Sequence, residues 1–214
     1  MSNVIVLFGK PGAGKGTRLK EFLEGREDSF DTVSVGDLLR KARDNKSELG
    51  LKAASYMDAG QLVPNDLVNA LVIEGLQNVE KPIFIDGFPR TIAQAEALLR
   101  AGICPLVIEF YVDDEIVFER ARNRIVCPSC GATYTLNEFD PPKVKGFCDK
   151  CQVELGKRSD DKEEIVNNRL EVYRRDTYPV LDYLSSFGIR AFTIDNSDPE
   201  SARRLFADFV LSSL

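Results

Sequence analysis

The sequence predicts an α/β fold: a parallel sheet flanked by helices, carrying a helical insertion and a second, cysteine-bearing one. Three observations lead there. Short apolar runs alternate with helical patterns along most of the chain. A glycine-rich loop joins the first run to the first helix. Two stretches, 34–63 and 125–161, break the alternation and read as insertions. The core is then residues 1–33, 64–124 and 162–214. A length of 214 residues suits one core with small insertions.

The elements follow in order. Val4–Phe8 is apolar throughout, as a strand buried on both faces must be. Gly9–Gly16 forms the loop, and Thr17, Leu19, Phe22 and Leu23 mark a helix. Pro82-Ile83-Phe84-Ile85, Pro105–Tyr111 and Ile189–Ile194 repeat the strand pattern. Helices are expected at Asp66–Leu76, Ile92–Ala101, Glu115–Arg124 and Glu163–Phe187. Pro199, after Asp198, opens a last helix, because proline suits a first turn. The 34–63 stretch reads as helices without a strand between them. The 125–161 stretch is rich in Gly, Pro, Cys and turns.

Composition narrows the partners. The chain has 34 acidic and 28 basic residues, a net charge of −6. An acidic body gains nothing from a polyanion's field, so no nucleic-acid partner is expected. No apolar run approaches about 18 residues, and no basic-then-apolar leader opens the chain at Met1-Ser2-Asn3. A cytoplasmic protein without a membrane partner is expected. There is no histidine. That excludes imidazole acid–base steps and Ser-His or Cys-His nucleophiles.

Gly9-Lys10-Pro11-Gly12-Ala13-Gly14-Lys15 lies between a buried strand and a helix, as a phosphate-binding loop requires. Glycines let successive N–H groups converge on one anion, and the helix adds its positive end. Lys15 then reaches the β- and γ-phosphates. The plain alternative is a turn that caps a helix. Gly16 stands where the general motif has Ser or Thr, and Thr17 follows. GKPGAGKGT resembles the variant found in adenylate kinases and related nucleoside monophosphate kinases. The resemblance covers nearly the whole chain. It implies ATP contacts from Gly12, Ala13, Gly14, Lys15, Gly16 and Thr17.

Asp86-Gly87-Phe88-Pro89-Arg90-Thr91 follows the strand at Ile83–Ile85, so it faces the crevice at the strands' C-terminal ends. Asp86 suits a water of Mg²⁺, and Arg90 suits a phosphate. DGFPRT is similar to the AMP-phosphate segment of adenylate kinases, which places Gly87, Phe88, Pro89 and Arg90 at AMP. In that family a glutamine at the place of Gln94 reads adenine. Thr91 to Gln94 also fits a helix capping box, so two roles compete for one amide. Ser34–Arg40 resembles the start of the AMP-binding part, with Arg40 on the phosphate. Its alternative is a solvated residue of the Arg40-Lys41 pair. Val35 stands where the family often has threonine, which removes one base contact. Gln61, Leu62 and Val63 resemble the pocket's far wall.

Cys127, Cys130, Cys148 and Cys151 fall in a C-x₂-C-x₁₇-C-x₂-C pattern. That spacing suits a structural Cys₄ zinc site; two disulfides are the alternative, disfavoured in a reducing compartment. Lys143, Lys145 and Lys150 are balanced by Glu138, Asp140 and Asp149, so the ribbon offers no basic face. It resembles the zinc-bearing lid of bacterial adenylate kinases. The resemblance puts Arg120, Thr133 and Tyr134 at ATP, and Arg124, Arg158 and Arg169 at the phosphates. Asp160 and Asp161 would orient those arginines; alternatively Asp160 caps the next helix and Asp161 sits in its first turn. The implied reaction is ATP + AMP ⇌ 2 ADP with Mg²⁺, by a monomer. A pyrimidine monophosphate kinase, a GTP-dependent AMP kinase and a one-site nucleotide sensor are the competing readings.

Overall fold

The structure is a computed structural model that describes residues 4–76, 80–136 and 141–214. Met1-Ser2-Asn3, Glu138 and Asp140 lie outside the described residues. Strands β1 (Val4–Phe8), β2 (Asp31–Ser34), β3 (Ile83–Asp86), β4 (Leu106–Tyr111) and β7 (Ala191–Asp195) form one sheet in the order β2-β3-β1-β4-β7. All its pairings are parallel. Helices α1 (Lys15–Leu23), α5 (Ile92–Arg100), α6 (Asp114–Asn123), α7 (Glu163–Val172), α8 (Pro179–Ser186) and α9 (Pro199–Ser213) belong to the core. Helices α2 (Val35–Asp44) and α3 (Glu48–Asp58) fill the first insertion, and α4 (Asn65–Leu76) returns to β3. A small hairpin of β5 (Arg124–Val126) and β6 (Thr133–Thr135) carries the cysteine segment.

β1 is apolar throughout because both its faces are covered. Val4, Val6 and Phe8 join one buried cluster with Val35, Leu98 and Leu184, while Ile5 and Leu7 join another with Phe22, Ile108 and Phe206. The second cluster is aromatic. Phe206 packs 5.4 Å from Phe22 and 5.3 Å from Phe110, ring centre to ring centre, in edge-on geometry.

The strand order changes direction at β1, so the crevice of the sheet opens at its C-terminal end. Register makes that edge level: Leu7 pairs with Asp86, and Ser34 pairs with Asp86 from the other side. The loop after β1, the carboxylate ending β3 and the start of α2 therefore share one rim.

Element ends shift by one or two residues, and three features differ more from expectation. β2 was not expected, because Asp31-Thr32-Val33-Ser34 is a polar, half-exposed edge strand without an apolar run. Arg124 leaves α6 and opens β5. The long helix over 163–187 holds a π-turn at Tyr173–Thr177, where Tyr178 N–H bonds to Tyr173 O at 2.8 Å. Pro179 follows directly and cannot donate to the turn before it, so the widened turn takes up the mismatch.

Phe206→Ala is expected to cost about 3–5 kcal/mol, since a fully buried ring at the centre of the aromatic cluster leaves a cavity. Urea unfolding of the variant and the parent measures it.

Candidate active site

A cleft of about 660 Å³ lies at the shared rim, between the sheet, α2–α3 and the hairpin segment. Among the described residues it is lined by nine cationic side chains and only four carboxylates. The excess is local, since the chain as a whole is acidic. Such a cleft attracts a polyanion.

The loop after β1 supplies the floor. Gly12 (φ +80°) and Gly14 (φ +87°) take left-handed backbone, which a side chain would strain. Gly12, Gly14, Lys15, Gly16 and Thr17 all line the cleft. Lys15 Nζ donates to Gly9 O at 2.9 Å and Lys10 O at 3.2 Å, with Asp86 Oδ1 at 3.8 Å. Burial lowers the Lys15 pKa, and Asp86 opposes that. Ala13 is fully buried and does not line the cleft with its side chain.

The other cations arrive from separate segments. Arg40 on α2 donates to Asp37 at 2.6 Å. Burial raises Asp37, but the Arg40 hydrogen bond outweighs it, so the carboxyl sits low. Arg90, after β3, donates to Gly87 O at 3.0 Å and is destabilised as a cation mainly by burial. Arg124 makes a two-pronged pair with Asp161 at 2.7 and 2.9 Å, where the Asp161 carboxylate is 2% exposed. Arg169 on α7 pairs with Asp160 at 3.0 Å. Arg158 touches Thr133 Oγ1 at 3.5 Å. Burial holds both Arg158 and Arg169 down to about 10; like charges on Arg40 and Arg124 add to this at Arg158. Asp160 is pushed up by burial and pulled down further by Arg169 and Arg158. Lys162, not Asp160, stands at the start of α7, so neither aspartate caps it.

The expected acceptor residues Arg40, Gln61, Leu62, Val63, Gly87, Phe88, Pro89, Arg90 and Gln94 all line the cleft. Val35 lines it too, while packing into the core. Gln94 is 2% exposed. Its Oε1 accepts from Arg90 N–H at 2.7 Å, and its Nε2 donates to Asn65 Oδ1 at 3.0 Å. Thr91 Oγ1 accepts from Gln94 N–H at 3.2 Å, the capping half of the motif. The amide therefore braces the Arg90 backbone while its residue faces the cleft.

Arg120 donates to Asn196 O at 2.7 Å and reaches Gly12 O at 3.4 Å. Thr133 lines the cleft. Tyr134 does not: it is buried in the cysteine segment, where its hydroxyl lies 3.5 Å from Cys148 Sγ and accepts from Asp149 N–H at 2.9 Å. The four expected cysteine sulfurs all lie within 4.8 Å of one another. A tetrahedral ion with Zn–S bonds of about 2.3 Å requires S···S edges of about 3.8 Å, so the set is compatible with a structural zinc. The Tyr134 hydrogen bond holds the Cys148 thiol down at about 6, while the contacts with Cys127 and Cys148 push Cys151 up to about 12. Asn196, buried at the end of β7, also lines the cleft; as a lone asparagine in a turn it carried no motif in the sequence.

The comparisons with known proteins agree with this geometry. The adenylate kinase family model matches residues 7–189. The chain belongs to the adenylate kinase family. It is 43% identical over 213 residues to the adenylate kinase of Clostridioides difficile (strain 630), covering 96% of both chains. It is 45% identical over 192 residues to that of Carboxydothermus hydrogenoformans, covering 86% of this chain and 88% of the relative. The adenylate kinase of Bacillus subtilis (strain 168) is 44% identical over 194 residues, covering 87% and 88%. The family match decides for a nucleoside monophosphate kinase acting on ATP and AMP over the competing readings. Among the described residues no helix is long and apolar enough to cross a membrane.

Gln94→Ala leaves the part-buried Arg90 N–H without its acceptor. A stability loss of about 1–3 kcal/mol is expected, measured by thermal or urea unfolding.

Proposed function

We propose that this chain carries out ATP + AMP ⇌ 2 ADP by holding both nucleotides head to head in the one cleft. The observation that supports this most is the convergence of Lys15, Arg40, Arg90, Arg124, Arg158 and Arg169 from separate segments onto one cavity. A nucleotide sensor has use for one anion site; this cleft adds to its floor loop a further set of arginines from other segments.

On this reading Lys15 and the loop N–H groups hold the donor's β- and γ-phosphates, and Arg120 lies at the donor base. Arg40 and Arg90 grip the AMP phosphate, with Gln94 facing its adenine. Mg²⁺ enters as part of the ATP substrate, and Asp86 is placed to hold one of its waters. The attacking AMP oxygen is already largely ionised near neutral pH, because the second pKa of a phosphomonoester is about 6. No general base is required, so a chain without histidine suffices. The barrier is repulsion between two anions and the charge on the transferring group, which oriented cations offset. Arg124 and Arg169, paired with Asp161 and Asp160, supply that charge together with Arg158.

Residues 34–63 form the acceptor-binding arm on this reading, and residues 125–161 a lid that excludes water during transfer. Cys127, Cys130, Cys148 and Cys151 hold one structural zinc, which ties the lid together and takes no part in the chemistry. A reducing cytoplasm keeps those thiols available. One chain supplies every group, so a monomer is sufficient.

Two adenosines joined by a polyphosphate of matching length are expected to bind far tighter than ATP or AMP, because the second half binds intramolecularly. Lys15→Ala and Arg90→Ala are each expected to weaken that ligand sharply. Titration calorimetry across a series of chain lengths tests it; a flat series excludes the two-site reading. Chelation at neutral pH is expected to lower the melting temperature and leave activity at low temperature. Immediate loss of all activity with the fold intact points to a metal in the chemistry instead.

A further inference from the structure

An anion-binding loop has a second requirement besides inward N–H groups. Its carbonyls must turn outward and find donors there, or they face the phosphate and repel it. Ala13 is fully buried, so water cannot satisfy its carbonyl. The donor is Asn196: its Nδ2 lies 2.6 Å from Ala13 O, across 183 positions of chain.

Asn196 is itself fixed. Its N–H donates to Tyr111 O at 2.9 Å, which ties it to the end of β4. Its own carbonyl accepts from Arg120 Nη2 at 2.7 Å. Arg120 Nη1 reaches the neighbouring loop carbonyl, Gly12 O, at 3.4 Å. Asn196 and Arg120 thus brace two successive carbonyls from behind the loop.

The amide has only one workable orientation. A flipped amide sets oxygen against the Ala13 oxygen. With Nδ2 committed, Oδ1 is left buried and without a hydrogen-bond partner. The loop is shaped to receive Asn196. A Cβ on Gly14 would lie 2.4 Å from Asn196 Nδ2, so only glycine leaves room for the amide.

We infer that Asn196 is a positioning residue for the donor site: by holding the Ala13 carbonyl outward, it keeps the loop's N–H groups aimed at the donor phosphates. This rests on the reading of that loop as the ATP phosphate site.

The test compares Asn196→Ala, which removes the donor, with the near-isosteric Asn196→Asp, which sets an oxygen against Ala13 O. Asn196→Ser, which keeps a shorter donor, is the conservative variant. Steady-state kinetics vary MgATP and AMP separately, and thermal unfolding is recorded for each protein. The KM for MgATP is expected to rise about ten-fold or more in the Asp variant, less in Ala and least in Ser. The KM for AMP is expected to stay within about two-fold. A KM for MgATP that stays within about two-fold in the Ala variant overturns the inference, as does a parallel rise in both KM values that tracks lost thermal stability. If the Asp variant does not fold, the Ala and Ser variants decide by the same comparison. Lys15→Ala separates the two readings. If it leaves MgATP binding intact, the assignment of the loop fails. If it abolishes binding while the Asn196 variants bind normally, only the role of Asn196 fails.

Discussion

Buried positive charge is the constraint on which the rest of this structure depends. Lys15, Arg90 and Arg169 sit where hydration is lost, and each is destabilised as a cation by that burial. Without compensation such a cluster would repel itself apart. The fold gives several of the cleft's cations an acceptor close by. Lys15 rests on loop carbonyls near Asp86, Arg40 on Asp37, Arg124 on Asp161 and Arg169 on Asp160. These partners hold the side chains at the cleft wall without neutralising the cleft. A polyanion completes what they leave undone, and it does so without the reorganisation that water would need.

The positions of those groups follow from the sheet. Parallel register brings Leu7, Asp86 and Ser34 level, so the loop after β1, the end of β3 and the start of α2 open onto one rim. The cysteine segment is different, because it has almost no core of its own. Its buried set is Ile125, Cys127, Tyr134 and Cys148 among the described residues. A unit that small needs a staple, and four clustered thiols are suited to provide one. Tyr134 shows the division of work. Its hydroxyl meets Cys148, while Lys20 of α1 lies 5.9 Å from its ring centre. It joins the cysteine cluster to the helix behind the phosphate loop rather than lining the cleft.

Legibility in the sequence followed physical type. β1 and β3 could be read because burial on both faces leaves an apolar run, and β4 because only Glu109 interrupts its run. The loop and DGFPRT could be read because each concentrates its chemistry in a few adjacent residues. The cysteines could be read because metal geometry imposes spacing. β2 could not, because an edge strand of Asp31, Thr32, Val33 and Ser34 has no apolar face to announce it. The π-turn at Tyr173–Thr177 could not, since its residues are ordinary helix formers and only Pro179 hinted at a break. Tyr134 was expected at ATP from resemblance, and its side chain turned to the cysteines instead. Asn196 was invisible, because its partner Ala13 lies at the other end of the chain.

A net negative charge on a chain with a cationic cleft has a consequence for selectivity. Long-range attraction of anions is weak when the net charge is −6. Affinity must then come from short-range contacts inside the cleft, where screening by salt is small. Forked guanidinium groups at fixed positions reward a ligand whose oxygens match them and give little to a diffuse polyanion. That is the opposite of a nucleic-acid surface, which gathers phosphates by field and tolerates any sequence of them. The same local character explains how a chain without histidine manages its chemistry. On the proposed reaction the attacking oxygen needs no proton removed, and arginines held at about 10 are still cationic near neutral pH, where a phosphomonoester with a second pKa of about 6 is already largely ionised.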